Sequence, residues 1–316
     1  MPSQLCTYLK LALVSMIWGG TFVAGRALAS GIDPLLLGSL RFALASLVLV
    51  IILLVSKKGF VRVTKTQAMQ IAGLGFAGIY AYTLFFFHGL QYTDASRASL
   101  IVASNPAVMA IMAYLCFRQR LGRAQVLGVA LCLLGAGWVV LARAPAAIGQ
   151  GSWLGDGLIF GCVLSWVFFS MFCTRLVTQI GALYTVTYAV FAGAAMLGVH
   201  ALVIGSMSMS SLRLLSMRDL ISLGYLGALG SALAYVLYYD AIARIGATRA
   251  GSFIALNPLT AVVAGALLLG EQLTGAMLAG GTLVITGILL VNRIPAALSC
   301  PASSAGSPCR TDQEPG

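Results

Sequence analysis

The sequence ASRASLIVASNPAVMAIMAYLCF at residues 95–117 returns in altered form as ATRAGSFIALNPLTAVVAGALLL at residues 247–269. At a shift of 152 residues, the two stretches and the segments after them share an ordered series of Arg, Asn-Pro and Gly. The matched pairs are Arg97/Arg249, Asn105/Asn257, Pro106/Pro258, Gly128/Gly280 and Gly135/Gly287. Shared apolar composition readily produces matched Ala and Leu residues but not this series, so the pattern indicates an internal repeat.

The repeat divides the chain into two halves and a tail. The first half is predicted to span residues 8–142 and the second half residues 152–293. Trp18 in the first half has Trp166 as its counterpart at a shift of 148 residues, which extends the repeat to the first apolar segment of each half. Residues 294–316 are polar and rich in Ser and Pro, so a disordered cytoplasmic tail is expected there.

The composition excludes an ordinary soluble protein. Of 316 residues, 60% are apolar and 9% are charged, and the mean hydropathy is +0.98, whereas soluble domains carry about 25% charged residues. The net charge of +11 therefore bears on membrane orientation, and no nucleic-acid partner is expected. The 7 cysteines form no CxxC pair and no Cys/His cluster, so no disulfide, metal site or cofactor is expected.

Apolar runs bounded by charged residues, Gly or Pro predict an all-α membrane protein with ten transmembrane helices. The runs lie near residues 11–29, 34–55, 67–90, 97–117, 123–142, 154–174, 181–204, 220–242, 250–269 and 274–292. Each half then contains five spans, and because five is odd, the second half enters the membrane inverted relative to the first. Inverted repeats of this kind build secondary transporters, with the substrate site near the midplane between the halves.

Lys and Arg residues are distributed unequally between the two sides of the predicted membrane. If the N-terminus is cytoplasmic and the sides alternate, most of the 19 Lys and Arg residues lie in cytoplasmic loops. The exceptions are Arg26, Arg97, Arg143, Arg213 and Arg218 on the outer side and Arg41 within the second span. This bias predicts that both chain termini are cytoplasmic.

Five segments form a specific pattern in combination: WGGTFVAGRAL (18–28), the stretch from Pro34 to Arg41-Phe42, AYTLFFFHGLQYTDASRASLIVASNPAV (81–108), AYVLYYDAIARIGATRAGSFIALNPLTAVVAGALLLGEQLTG (234–275) and GGTLVITGILLV (280–291). This pattern resembles the drug/metabolite transporter superfamily, specifically its ten-helix branch built from two EamA domains. The resemblance implies a multi-pass permease of the bacterial inner membrane that moves small metabolites, amino acids among them, frequently outward, and that is not an enzyme. The Gly-Glu that ends the family's repeat is present as Gly270-Glu271, but its first-half equivalent is Arg118-Gln119.

Polar and aromatic residues within the predicted spans are candidates for lining a substrate cavity. They are Trp18, Thr21, Arg41, Tyr80, Thr83, Asn105, Trp166, Ser170, Tyr235, Tyr239 and Asn257. Trp18 and Trp166 mark matching faces of spans one and six, and packing through neighbouring small residues is the alternative. Tyr235 and Tyr239 are four residues apart and share a helix face, which suits either stacking on an organic solute or an aromatic belt at the membrane interface.

Arg41 lies seven residues beyond Pro34, which places it about 10 Å below the outer surface at 1.5 Å per residue. A charge at this depth indicates a functional group by default, and contact with substrate is one interpretation. The other is that the side chain reaches outward and pairs with an outer carboxylate. The carboxylates considered are Asp33, Asp94 and Glu271.

Pro106 and Pro258 are predicted to break their helices in mid-span, because proline removes a backbone donor and frees a carbonyl group. Two interpretations stay open for these breaks. They expose polar backbone to a cavity, or they are kinks at which the preceding Asn reaches a neighbouring helix.

Three ionisable residues at span ends are candidates for gates: His88, Asp240 and Glu271. Structural roles are the alternative, including an ion pair between Asp240 and Arg244 one turn later. No carboxylate is predicted near the bilayer centre, which disfavours coupling through a buried carboxylate and leaves facilitated transport or exchange open.

The expected function is export of small organic metabolites, such as amino acids or amphipathic compounds, by a secondary transporter working through alternating access. A nucleotide-sugar or phosphate-ester antiporter is the nearest alternative, but doubly charged phosphates need several central Lys or Arg residues and only Arg41 is available. An intramembrane enzyme is a remote alternative, since no HExxH or GxSxG motif is present. The expected partners are a small-molecule substrate and membrane lipid, and the protein is expected to be a monomer or homodimer.

Overall fold

The computed structural model describes residues 2–29, 31–55, 59–118, 121–141, 152–208, 213, 215–245 and 253–291. These residues form helices joined by short turns, and no strand occurs among them. The helices are α1 (Pro2–Ala29), α2 (Pro34–Val55), α3 (Lys65–Tyr92), α4 (Ala95–Val102 and Asn105–Phe117), α5 (Arg123–Leu141), α6 (Ser152–Ile180), α7 (Ala182–Ile204), α8 (Met217–Gly224, Tyr225–Leu233 and Ala234–Ile245 in succession), α9 (Leu256–Leu269) and α10 (Gly275–Val291). The predicted tail, residues 294–316, lies outside the described residues.

Helices α1 to α8 are each long and apolar enough to cross a membrane. Helices α9 and α10 are apolar but shorter, at 14 and 17 residues, or about 21 and 26 Å at 1.5 Å per residue, against a hydrocarbon core of about 30 Å. A 3₁₀ turn, Phe253–Ala255, directly precedes α9 and lengthens its helical path. Eight described helices therefore satisfy the length criterion, and the prediction of ten spans goes beyond this finding.

Local side-chain caps fix where several helices begin. Thr64 and Gln67 form a reciprocal capping box at the start of α3, and Ser216 and Asp219 form another at the start of α8. At the start of α2, the carboxylate of Asp33 accepts a hydrogen bond from the backbone N–H of Leu36 at 2.9 Å. These caps satisfy backbone donors that have no partner within the helix, so each helix has a defined first turn.

Helix α4 is interrupted directly before the Asn105-Pro106 pair. The first part ends at Val102, and the second part starts at Asn105 with proline in its first turn, where the missing N–H is not needed. The hydroxyl of Ser104 donates to the carbonyl of Ile101 at 2.7 Å and so satisfies part of the backbone at the interruption. The equivalent place before Asn257-Pro258 holds the 3₁₀ turn that leads into α9.

Two π-helical segments interrupt the α-helical winding at corresponding places. They are Phe76–Ala81 within α3 and Tyr225–Leu233 within α8. A shift of 152 residues places the second segment over residues 73–81, so the two overlap in the repeat. π-helical turns are rare, and those that occur are frequently at functional sites. The sequence analysis did not predict either segment.

The packing of α5 against α10 depends on four glycines. A Cβ atom on Gly287 would lie 2.6 Å from the carbonyl oxygen of Gly128, and one on Gly135 would lie 2.6 Å from that of Gly280. The repeat matches Gly128 with Gly280 and Gly135 with Gly287, whereas the contacts are crossed: Gly128 meets Gly287, and Gly135 meets Gly280. Such close approach allows backbone-to-backbone packing between membrane helices. We call this contact the glycine seam.

Replacing Gly287 by Ala should loosen the glycine seam, because the new methyl group would meet backbone atoms that cannot move aside. Overpacking of this kind costs about 1–3 kcal/mol. The measurement is the apparent unfolding temperature of purified protein in detergent. Gly137→Ala on α5 is the matched control, since a Cβ at Gly137 meets nothing within 4 Å. Equal unfolding temperatures for the two variants would contradict this packing.

Candidate functional site

Aromatic side chains from both halves of the chain meet in the interior. The ring of Trp18 on α1 lies 6.3 Å from that of Trp166 on α6 and 5.8 Å from that of Tyr235 on α8. Trp166 is also 6.0 Å from Tyr235 and 6.0 Å from Tyr82 on α3, and Tyr238 lies 5.0 Å from Trp18. We call these five residues the aromatic cluster. Helices that are distant in sequence thus contribute adjoining faces of one apolar and partly polar surface.

The π-helical segment of α8 fixes the position of Trp18. The indole Nε1 of Trp18 donates a hydrogen bond of 3.0 Å to the carbonyl of Gly230, which lies within that segment. The hydroxyl of Tyr225 in the same segment donates to the carbonyl of Ile17 at 2.7 Å. Thr21 donates to the carbonyl of Trp18 at 2.6 Å, so its hydroxyl is satisfied within α1. The indole of Trp18 is therefore held between two helices.

Arg41 on α2 is 6% exposed and extends toward α8. Its Nε donates a hydrogen bond of 2.8 Å to the hydroxyl of Ser231, which itself donates to the carbonyl of Leu226 at 2.9 Å. The guanidinium carbon lies 5.1 Å from the ring centroid of Phe42 and 5.7 Å from that of Phe86. These aromatic faces and one hydroxyl solvate the guanidinium only in part.

The outward ion pair considered for Arg41 does not occur among the described residues. Asp33 instead caps α2 and Glu271 caps α4. The difference arises because the Arg41 side chain extends sideways to Ser231 on the buried face of α8 rather than along α2 to the helix end. The Nη1 atom of Arg41 is buried and has no hydrogen-bond partner.

Other buried polar atoms near the centre also lack partners. In the described part of the chain these are the hydroxyls of Thr83 and Thr187 and the amide oxygens of Gln70, Asn105 and Asn257. Thr83 is fully buried and packs its methyl group against Gly38, one turn from Arg41 on α2. Two interpretations were open for Asn105 and Asn257: they leave polar groups available in the interior, or they bond to a neighbouring helix. Their side-chain oxygens accept no hydrogen bond from the described residues, which favours the first interpretation.

Tyr80 on α3 contacts α7, and its role in lining a substrate cavity stays a prediction. Its hydroxyl is 2.8 Å from Nδ1 of His200 on α7, and its ring stacks on Phe76 at 5.5 Å. Tyr80 and Phe76 line an open groove of about 670 Å³ between α3 and α7. The other lining residues are Ala192, Ala195, Met196, Val199, His200 and Val203. This groove shares no residue with the aromatic cluster. Tyr80 nevertheless packs, with Trp18 and Trp166, against the group of buried residues that includes Tyr235.

A buried ion pair that the sequence did not single out joins the two halves. Arg97 on α4 binds both carboxylate oxygens of Asp156 on α6 at 2.9–3.1 Å. The hydroxyl of Thr93 donates to the same carboxylate at 3.1 Å. The one available signal was the match of Arg97 to Arg249 in the repeat. Because a buried charge requires such compensation, this pair fixes α4 against α6.

Glu271 caps a helix of the opposite half. Its carboxylate accepts hydrogen bonds from the backbone N–H of Ala95 at 2.8 Å and of Ser96 at 3.0 Å, and from the hydroxyl of Ser96. The carboxylate fits because Gly265 has no side chain: a Cβ there would lie 2.6 Å from Oε2 of Glu271. A negative charge is favourable at a helix N-terminus, so Glu271 stabilises α4 from the α9–α10 turn.

The remaining candidates are spread over other surfaces. His88 is exposed, and Ser170 is half-buried one turn beyond Trp166. Asp240 lies 3.8 Å from Nζ of Lys10 on α1, with both side chains 37% exposed. The side chains of Tyr239 and Arg244 lie outside the described residues. Within the residues that the structure describes, no group of three His, Cys, Asp or Glu residues could hold a metal ion.

Replacing Glu271 by Gln should weaken the contact between the α9–α10 turn and α4. Both carboxylate oxygens of Glu271 accept hydrogen bonds, whereas the Gln amide has one acceptor oxygen and an NH₂ group that can only donate. The amide also lacks the negative charge that is favourable at a helix N-terminus. The loss is expected at about 1–2 kcal/mol and is measured as a lower apparent unfolding temperature in detergent. Asp219→Asn, in an exposed capping box confined to one helix start, is the control with the smaller expected change. A larger loss in the control would overturn the cross-half role of Glu271.

Sequence relatives have names that agree with a transport role. "Uncharacterized transporter YetK" of Bacillus subtilis is 25% identical over 288 residues, which cover 91% of this chain and 87% of the relative. A "Probable terminal-alkyne amino-acid exporter" of Streptantibioticus cattleyicolor is 27% identical over 90% of this chain and 92% of its own length. A "Probable amino-acid metabolite efflux pump" of Salmonella typhimurium is 25% identical, with 88% and 92% covered.

A solved crystal structure shares the fold, with a TM-score of 0.62 at 17% identity over 90% of this chain and 97% of that one. The sequence pattern of one protein family matches twice, over residues 6–141 and residues 153–293. Together with the apolar helices, this identifies a multi-pass membrane protein, which in a bacterium resides in the inner membrane. The chain belongs to the EamA-like transporter family, within the drug/metabolite transporter superfamily.

Proposed function

We propose that this protein exports small organic metabolites by alternating access between two inverted halves of five transmembrane helices each. The observation that carries the proposal is the aromatic cluster, because both halves supply it. Trp18 and Tyr82 come from the first half, and Trp166, Tyr235 and Tyr238 come from the second. A site between two repeats is where an alternating-access carrier binds its substrate.

Contacts between helix ends support ten spans with alternating sides. At the ends expected to be cytoplasmic, Lys10 approaches Asp240 at 3.8 Å and Gln67 donates to Gln179 at 3.1 Å. At the ends expected to be outside, Glu271 caps α4 and Arg97 binds Asp156. Each contact joins ends that the proposed topology places on the same side. The reciprocal glycine pairs of the glycine seam are what a two-fold relation between antiparallel α5 and α10 requires.

The same contacts suggest where the two gates lie. Arg97–Asp156 and Glu271–α4 join the halves at the outer side and are largely buried, so they would hold the outer end closed. Lys10–Asp240 joins the halves at the inner side, but it is longer and more exposed. Exposed ion pairs contribute little, typically below about 1 kcal/mol. In this proposal the inner side opens more readily, as an exporter that loads from the cytoplasm requires.

The direction of transport is proposed from the relatives. Two of them are named as an exporter and as an efflux pump, and each aligns with about nine-tenths of this chain. Their substrates are not carried over, because identities of 25–27% leave the residues of a binding surface free to differ.

The test is a mass-spectrometric comparison of spent medium. Cells that overexpress the protein are compared with cells that lack it and with cells that express a Trp166→Ala, Tyr235→Ala double variant. Wild type should enrich a few compounds, and the variant should abolish this enrichment because both rings of the cluster are lost. The matched control is Trp138→Ala, Tyr114→Ala, which removes the same ring types from exposed positions.

Enrichment by wild type and by the control, but not by the cluster variant, is the expected outcome, provided that all variants reach the membrane in similar amounts. Identical medium from cells with and without the protein would contradict export. Enrichment that survives loss of the cluster would place the substrate site elsewhere.

The proposed topology predicts opposite results for reporters at two neighbouring turns. Alkaline phosphatase, which is active outside the cytoplasm, should be active when fused after Gly205 between α7 and α8 and inactive when fused after Gly181 between α6 and α7. Both glycines are exposed and lie at helix ends. The measurement is phosphatase activity in intact cells, normalised to fusion protein abundance. Activity at Gly181 alone would reverse the orientation, and equal activity at both would refute a span between them.

A further inference from the structure

Arg41 is a buried cation with no carboxylate partner among the residues that the structure describes. The ionisable side chains close enough to interact electrostatically with its guanidinium are Tyr235, Tyr82 and Cys162, and none of these is a carboxylate. Its one hydrogen bond to a described side chain is with Ser231, and Nη1 has no partner. A guanidinium has five N–H donors in a planar fork, so most of its bonding capacity remains unused.

The described acidic residues are engaged or located elsewhere. Asp33, Asp219 and Glu271 cap helices, Asp156 binds Arg97, Asp240 approaches Lys10, and Asp94 is exposed at the start of α4. Charge compensation for Arg41 therefore does not come from the described carboxylates. An unpaired charge away from water is costly, so a ligand that supplies an anion would be stabilised there by more than its Coulomb attraction in water.

The surroundings of Arg41 define the kind of anion that fits. Phe42 and Phe86 lie beside the guanidinium, Tyr82 stacks on Phe86 at 5.9 Å, and Tyr82 in turn contacts Trp166. A continuous aromatic surface thus leads from Arg41 to the aromatic cluster. An organic anion with an apolar body gains contact along this surface, whereas a bare inorganic ion gains none. A single guanidinium balances one negative charge, which favours a carboxylate over a doubly charged phosphate.

We propose that Arg41 binds the carboxylate of the transported molecule, whose apolar part lies against the aromatic cluster. This inference rests on the proposed export function and names its substrate class: organic carboxylates with an apolar body. Arg41 is then a substrate-binding residue. Its hydrogen bond to Ser231 positions the guanidinium and leaves the terminal nitrogens of its fork for the ligand.

The experiment adds three variants to the spent-medium comparison. Arg41→Gln removes the charge but retains an amide that can donate to Ser231. Arg41→Lys retains the charge but loses the planar fork. Arg175→Gln removes an arginine from an exposed position on α6 and serves as the control. The most enriched compound and its primary amide are then tested for counterflow into proteoliposomes that contain the full-length protein.

Compounds enriched by wild type should carry a carboxylate, and Arg41→Gln should reduce their export about ten- to hundredfold, the range expected for loss of a charge-assisted hydrogen bond. Arg41→Lys should retain part of the transport, and Arg175→Gln should match wild type. In proteoliposomes, wild type should transport the carboxylate at least tenfold faster than the amide, and Arg41→Gln should remove this preference.

Other outcomes separate the inference from the proposed function. Enrichment of neutral or cationic compounds, or carboxylate export that Arg41→Gln leaves intact, would overturn the role of Arg41 while export stands. A third outcome is that Arg41→Gln and Arg41→Lys both lose export at normal membrane abundance, while the residual counterflow keeps its preference for carboxylate over amide. This result would show that the role of Arg41 is purely structural. An absence of any enriched compound in wild type would overturn export itself.

Discussion

In a hydrocarbon environment, a backbone group that leaves its helix must find another partner. The irregular parts of this protein meet that constraint in specific ways. In the π-helical segment of α8, the carbonyl of Gly230 accepts a hydrogen bond from the indole of Trp18 on α1. The carbonyl of Leu226 accepts one from the hydroxyl of Ser231. These side-chain partners set the place of Trp18 and of Arg41, which bonds Ser231. The departure from regular winding therefore positions the groups on which the proposed site depends.

The two halves match the same family pattern, but corresponding positions carry different side chains. Glu271 supplies a carboxylate that caps α4, while the corresponding first-half residues are Arg118-Gln119, with Arg118 in a left-handed conformation at φ 51°. Thr83 corresponds to Tyr235 in the repeat, yet Thr83 packs against Gly38, whereas Tyr235 stacks on Trp166 and contacts Trp18 edge to face. The two matched repeats thus place different side chains in the interior.

Sequence reasoning relates residues through helix periodicity and the repeat. It predicts that Trp18, Trp166 and Tyr235 line a substrate cavity; their rings are neighbours in the structure, and the role in a cavity stays a prediction. It missed the Arg97–Asp156 pair because partners on different helices leave no spacing pattern in one sequence. It did not foresee that Tyr80 contacts His200 on α7, because the π-helical turn around Tyr80 changes the angular position on which a simple helical projection relies. The length of α9 was equally hard to foresee, because apolar composition does not mark where a helix starts.

The glycine seam has a mechanical consequence for any movement of the two halves. Helix α5 belongs to the first half and α10 to the second, and at the four glycines the two backbones meet directly, flanked by the side chains of Cys132, Val139 and Val284. Packed elements of this kind have few alternative arrangements at similar energy, because sliding one helix would drive Cα atoms into carbonyl groups. In the proposed alternating-access cycle, the seam would therefore serve as the pivot between the halves. Small rotations about it become larger displacements at helices farther away, so α1, α3, α6 and α8, rather than α5 and α10, would carry most of the motion.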